Sequence, residues 1–378
     1  MIACQRDKFD IPAGVNYLNC GYMSPMLRAA VAAGQVGMAR KLAPWNITSE
    51  DFFEATEHTR LLFATIVGTS AHNIAIVPSA SYGLSVAANN LPLEPGSRVV
   101  LLAEQFPSNV YPWVASAQDA GAELSWVMRP EDGDWTSAVV QSIDDRTGLA
   151  AVSACHWTDG ARIDLVRVSA RCKEVGAALV VDGTQTVGAT PFDVKAIDPD
   201  FMVVAAYKWL LGPYSVAFLY ANQRRQDGEP IEYTWMTRRK AEDFARLADY
   251  RDEFRIGARR FDVGEFSNFA LLPAVDVALA QILEWSPEHI AETLRALTDR
   301  AIAAAESRGY GTPADQLRSP HMVGITIQDG PPDVVQQLAE RGVYVSQRGD
   351  SLRISPYLHN TAADIDRLFA ELDSLGAT

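Results

Sequence analysis

Positive charge is in short supply along this chain of 378 residues: 33 Lys and Arg stand against 47 Asp and Glu, a formal charge of −14. Nucleic-acid binding rests on Lys and Arg neutralising phosphates, so that class is set aside and a small ligand is expected. Cysteine is scarce too. The four, Cys4, Cys20, Cys155 and Cys172, show no C-x-x-C spacing, and neither a metal site nor a disulfide framework is expected. Cys155 and His156 are adjacent, which on a strand directs them to opposite faces. The N-terminus "MIACQRDKFDIP" has no apolar stretch behind its charges, so no signal peptide is read and a cytoplasmic location is expected. Repeats, low-complexity tracts and flexible linkers are missing as well. The hydrophobic run "VVAAYKWLLGPYSVAFLY" (203–220) approaches the roughly 20 residues of a membrane span, but Gly212-Pro213 breaks it in the middle. It reads as two short buried strands around a turn, and no membrane partner is expected.

What the chain does have is material for a large core, with 48% hydrophobic and 21% charged residues. Its length favours one large and one smaller domain. From about residue 60 to 220, helical patterns alternate with short β-branched runs: "IAIV", "RVVLLA", "ELSWVM", "LAAVSA", "ALVVDG", "FMVVAA" and "VAFLY". That alternation predicts an α/β fold with a mainly parallel seven-stranded sheet covered by helices on both faces. Such sheets bind ligands at the carboxyl ends of their strands. After residue 260 two long helical patterns follow, the second opened by Ser286 as N-cap and Pro287 in the first turn. A smaller α+β unit closes the chain: "HMVGITI", a helix over "PDVVQQLAERG", strands "VYVSQ" and "SLRIS" joined through "RGD", and a last helix opened by the capping box Thr361-x-x-Asp364.

Lys208 is the one charged residue in the run 203–220, and a buried lysine needs a partner or a neutral form. Asp182 ends the apolar strand "ALVVD" 26 residues earlier, about one βα unit upstream. Both residues are therefore expected at the same sheet edge. Alone, Asp182 reads as a helix cap and Lys208 as a side chain that snorkels to solvent. Together they are what pyridoxal 5'-phosphate chemistry requires: a lysine to form an imine with the aldehyde, and an acid to keep the pyridine nitrogen protonated. Gln185, three residues past Asp182, is in place to donate to the phenolic oxygen of the ring.

The segment "VVDGTQTVGATPFDVKAIDPDFMVVAAYKWLLGP" resembles the core motif of the class V aminotransferase family of pyridoxal-phosphate enzymes, which includes cysteine desulfurases, kynureninases and isopenicillin epimerases. The likeness extends, in family order, to "PSASYGLSVA", "AEQFPSNVYPW", "RIGARRFDVGE" and "LRISPYLHNTAADIDRL". It implies the aspartate aminotransferase fold type I, with a large cofactor-binding domain over 20–259 and a small α+β domain from 1–19 plus 260–378. It also implies a homodimer whose subunits share the active site.

The resemblance further implies roles. Phe106 stacks on the pyridine face, as in kynureninases. Ala80, Ser81 and Tyr82 form the phosphate loop, with Ser81 supplying the hydroxyl, and Tyr207 is a second phosphate ligand. Arg353, which alternates with Leu352 and Ile354 and so faces away from the apolar side, holds the substrate α-carboxylate. Gly21, Tyr22 and His156 are further substrate-side candidates. Taken singly, Phe106 reads as core, Ser81 as a helix cap and Tyr207 as strand packing, but their occurrence together in register favours the functional reading.

Two departures matter. The stretch "ERGVYVSQRGDSLRIS" contains no cysteine where desulfurases carry their nucleophile, so persulfide-forming desulfuration is not expected. The family's Gly-Thr is Gly257-Ala258 here, and Arg259 is expected to replace the cross-subunit threonine contact. The motif identifies the cofactor and says little about the reaction. Transamination of a small amino acid is the leading expectation, with a kynureninase-like or C–S lyase, an epimerase and a catalytically silent binding module as alternatives. Elimination needs an added acid and racemisation a base on each face. His156, Asp159, Tyr22, Tyr214, Trp235 and Arg348 are the residues available for such roles.

Overall fold

A computed structural model describes residues 1–377 apart from 329 and 332. In chain order its strands are β1 (Asn16–Tyr17), β2 (Ile74–Val77), β3 (Arg98–Leu102), β4 (Glu123–Val127), β5 (Thr147–Ser153), β6 (Ala178–Asp182), β7 (Phe201–Ala205), β8 (Ala217–Ala221), β9 (Val323–Thr326), β10 (Val343–Tyr344), β11 (Ser346–Arg348) and β12 (Ser351–Ile354). Seven of them form one sheet in the order β2-β8-β7-β6-β5-β3-β4. All neighbours are parallel except β8, which runs antiparallel to both β2 and β7. The expected seven-stranded, mainly parallel sheet is therefore present. The run 203–220 is two buried, antiparallel, adjacent strands, and among the described residues no helix is long and apolar enough to cross a membrane.

Alternation explains why these strands read as continuous apolar runs. Val99 and Leu101 of β3, Leu149 and Ala151 of β5, and Phe201, Val203 and Ala205 of β7 belong to one buried cluster. Val100 and Leu102, Ala150 and Val152, and Met202 and Val204 belong to another. Each strand thus feeds a core on both faces, as a helix-covered parallel sheet requires.

The edge strand β2 is capped by side chains rather than left open. Arg60, on the helix Ser49–Ile66, donates to the Ile74 carbonyl at 2.9 Å and forms a fully buried pair with Asp262 at 2.6 Å. Asp262 accepts the Ile76 N–H at 2.7 Å, and Val263 N–H donates to the Ile76 carbonyl at 3.0 Å. The pair is stabilised because each charge also satisfies backbone groups that a free edge exposes. It docks the segment "RIGARRFDVGE" onto the sheet.

In the C-terminal part the helices Leu272–Trp285 and Pro287–Glu306 form as expected, the second capped by the Ser286 hydroxyl accepting the His289 N–H. The helix of "PDVVQQLAERG" covers Val334–Glu340, while Pro332 lies outside the described residues. The run "VYVSQ" is split at Val345. Its first half, β10, pairs parallel with β1, and its second half, β11, pairs antiparallel with β12. β12 also pairs with β9, and the capping box at Thr361 and Asp364 opens the last helix.

Candidate active site

The carboxyl ends of β2, β5, β6 and β7 converge on one cavity of about 180 Å³. Among the residues lining it are Ser79, Ala80, Ser81, Phe106, Cys155, Trp157, Asp182, Gln185, Tyr207 and Lys208. Lys208 follows β7 on a tight loop in which Gly212 N–H donates to the Ala206 carbonyl at 2.9 Å. Gly188 makes room for this loop: its φ is +96°, and a Cβ there would stand 2.5 Å from the Trp209 carbonyl oxygen.

Lys208 is buried and makes no ion pair among the described residues. Its amine lies 5.2 Å from the Phe106 ring centre and 5.7 Å from that of Tyr207. Burial, reinforced by the Arg353 charge, lowers its pKa to about 8, against an opposing pull from Asp182. Asp182 accepts the Thr184 N–H at 3.0 Å, and burial pushes its carboxyl up from the usual range. Both groups are thus held in forms less charged than water would give them.

Gln185 is fixed by donors and acceptors of one kind each. The Trp209 indole N–H donates to Oε1 at 2.9 Å, and Nε2 donates to the Gly21 carbonyl at 2.9 Å. An indole can only donate and a carbonyl only accept, so the amide orientation is determined and one amide N–H remains over. Behind it, His321, whose burial lowers its pKa to about 4, donates Nε2–H to the Gln185 carbonyl at 2.6 Å.

Arg353 is 1% exposed. Its Nη1 donates to the Trp157 carbonyl at 2.6 Å, while Nε and Nη2 are buried without a partner. Gly21 lies against it, since a Cβ there would come 3.3 Å from Cζ. Buried donors left unmatched are costly, and burial followed by the Arg348 charge lowers the Arg353 pKa to about 9.

A model of the family described as aminotransferase class-V matches residues 46–368. The chain belongs to the class V aminotransferase family of pyridoxal-phosphate enzymes. Curated relatives of this class V chain include the uncharacterized aminotransferase YcbU of Bacillus subtilis, 27% identical over 85% of this chain and 84% of its own. Isopenicillin N epimerase of Streptomyces clavuligerus is 26% identical, covering 96% and 95%. A Burkholderia mallei kynureninase is 25% identical, covering 90% and 84%. Among solved structures, a cysteine desulfurase from Thermococcus onnurineus shares the fold at TM-score 0.83 and 18% identity, covering 99% of this chain and 98% of its own. So does a C-DES variant with glycine linked covalently to its PLP cofactor, at TM-score 0.85 and 19% identity, covering 98% and 100%.

The expected cofactor, pyridoxal 5'-phosphate, is that of the class V family. The residues present fit it. A buried lysine and a buried acid, neither ion-paired among the described residues, face one cavity, and a helix of 11 residues, Ala80–Asn90, starts at its rim. A helix start with free N–H groups suits a phosphate.

Seven of the thirteen site residues expected from the sequence line that cavity; Arg353, Gly21, Tyr22, His156, Arg259 and Tyr82 do not. His156 is buried outside it: its Nε2 is 3.1 Å from the Ala103 carbonyl oxygen, its Nδ1 is 2.7 Å from the Thr158 hydroxyl, and its ring stacks on Trp135 at 4.8 Å. Cys155, its neighbour, takes the cavity wall instead. Arg259 has every guanidinium nitrogen engaged, by Glu57, by His72 and by the Ile256 carbonyl, and does not border the cavity. Tyr82 is absent from the lining, and its N–H already donates to the Ser79 hydroxyl at 3.1 Å.

Arg353 and its neighbour Gly21 lie beside the cavity, at the guanidinium face just described, and Tyr22 is 54% exposed. Tyr214 lines the cavity. Asp159 is paired with Arg129, and Trp235 packs among Phe52, Phe53 and Phe244, so both face elsewhere. Sequence reading missed Ser79, Ser108, Ser153, Cys155, Trp157, Thr184 and Ser215 on the wall. Ser79 carried a signal, as the polar residue between "IAIV" and the helix it caps.

Proposed function

We propose that this class V enzyme transfers the amino group of a small α-amino acid to a keto acid. The observation that carries the reading is what the cavity holds. Its lining contains one amine, Lys208, one carboxyl group, Asp182, and no histidine among the described residues. A reaction that needs a single mobile proton at one lysine is supported by that set. Elimination asks for a further acid and racemisation for a second base; His156, Asp159 and Trp235 are turned away, and Tyr214 is the candidate for such a role that borders the cavity. The Cys155 thiol is pushed up to about 12 by burial, which makes it a poor proton donor or acceptor near neutral pH.

Bound pyridoxal phosphate would supply an electron sink for the substrate carbon. Around it, Lys208 would hold and move the proton at Nζ, Asp182 would serve the ring nitrogen, and Phe106 would present its ring. Gln185 offers its remaining N–H to the phenolic oxygen. The Ala80 and Ser81 N–H groups, with the Ser81 and Tyr207 hydroxyls, take the phosphate. Arg353 anchors the α-carboxylate through its two unmatched donors.

The test uses an amino acid without a keto acid. Each site is expected to release one equivalent of keto acid and then stop until pyruvate or 2-oxoglutarate is added. Continuous release of ammonia, sulfide or a cleaved side chain would establish the lyase instead.

We further propose a homodimer. The segment 250–256, just before the matched "RIGARRFD" motif's glycine, leaves Tyr250 95% and Ile256 77% exposed. The reading rests on the resemblance of "RIGARRFD" to the family segment that reaches across to the partner subunit. Sedimentation is expected to give a dimer at assay concentration, and an active monomer would refute it.

A further inference from the structure

The hairpin that carries Arg353 carries a second arginine on the same face. In the pair β11–β12, Ser346 stands opposite Arg353 and Arg348 opposite Ser351. Side chains alternate along a strand, so 346 and 348 share a side with 351 and 353. Arg348 and Arg353 are therefore diagonal neighbours, within reach of each other as long side chains. Like charges so placed repel. Among the described residues neither guanidinium forms an ion pair. Arg348 donates Nη1–H only to the Gln347 carbonyl at 2.7 Å, and its Nε is buried without a partner.

Arg348 borders the adjoining cleft of Glu104, Asp159 and Ser351 and meets the Lys208 cavity through Trp157. Its Cζ lies 5.5 Å from the centre of the Trp157 ring, and Trp157 is part of the wall around Lys208. The indole is itself pinned by its Nε1–H donating to the Glu104 carbonyl at 2.6 Å, so the arginine rests on a fixed surface. Both guanidinium groups are lowered in pKa by burial, and each of them also lowers that of Lys208. Two uncompensated cations beside one amine carry a cost that a ligand with two negative groups removes.

We propose that Arg348 is a substrate-binding residue that reads a second carboxylate, and that the enzyme takes a dicarboxylic substrate: an α-amino or α-keto acid with a carboxylate on its side chain. The proposal rests on Arg353 as the α-carboxylate anchor and is independent of whether the reaction is transamination.

The holoenzyme is titrated calorimetrically with glutarate and with butyrate, which lack an amino group and a keto group and so do not react. Glutarate is expected to bind about tenfold tighter or more. Arg348→Gln is expected to remove that preference, Arg348→Lys to keep a weakened form of it, and Arg353→Gln to weaken both probes. Equal binding by the wild-type protein overturns the proposal even if the glutamine variant fails to fold, as does a preference that survives Arg348→Gln. Failure of the transamination reading shows separately, as continuous turnover without a keto acid.

Discussion

Replacing Lys208 with alanine is expected to lower turnover by a factor of about a hundred to ten thousand, the range for losing a positioned proton-transfer group. The variant is expected to fold. Among the described residues Lys208 is buried without an ion pair, and burial, reinforced by the Arg353 charge, depresses its pKa to about 8. In the apoprotein that depression costs stability, fully below pH 8, where both folded and unfolded chains carry the proton. The cost is released between about 8 and the unfolded value of 10.5, where the folded lysine has shed its proton. Alanine removes the cost, so the apo variant's Tm at pH 7 should stay level or rise while activity falls. Two companion measurements fix the role. Borohydride should attach the cofactor covalently to Lys208, and peptide mapping that finds it on another lysine refutes the assignment. Capture of pyridoxal phosphate by the apoprotein should accelerate as pH rises through about 8, because the neutral amine is the nucleophile.

The sheet was legible because its strands are buried on both faces. Runs such as "RVVLLA" and "FMVVAA" cannot be amphipathic helices, and their spacing leaves room for one helix between each pair, which dictates parallel strands. The reversal at β8 was legible too, from the turn residues Gly212 and Pro213. What escaped was pairing that depends on distant chain. Nothing in "VYVSQ" marks Val345 as the point where one strand changes partners, since β1, which takes the first half, is more than 300 residues away in sequence.

The site divides along the same line. Lys208 and Asp182 stand out because each is a charge in an apolar strand end, a local anomaly. His156 is expected on the substrate side from its chemistry, although adjacent residues on an extended chain face opposite ways and Cys155 is the one on the cavity wall. The packing of Trp135 against the imidazole shows which side is inward. Arg259 carries the right charge for the expected contact to the partner subunit's phosphate, a contact made across an interface rather than in this cavity. Its use by Glu57, on a helix some 200 residues earlier, is a tertiary fact that no local pattern encodes.

Replacing Arg353 with alanine is expected to weaken recognition of α-carboxylates by about 2 to 5 kcal/mol, the range for truncating one partner of a buried charged pair. That is a loss of roughly 30-fold to several-thousand-fold in affinity. The size follows from the two buried, unmatched donors, Nε and Nη2, and from the backbone contact to Trp157 that aims them. A planar fork held in this way pairs with both oxygens of a carboxylate, and Gly21, where a Cβ would come 3.3 Å from the Arg353 Cζ, leaves the guanidinium its room. Cofactor content should be unchanged, because Arg353 stands away from the helix start at Ser79–Ser81 where the phosphate is proposed to sit. The check is a binding titration with a series of monocarboxylates, with the cofactor absorbance measured in parallel. Should affinity for every carboxylate survive, the anchor is Arg348, and the second anionic subsite proposed for that residue falls with it.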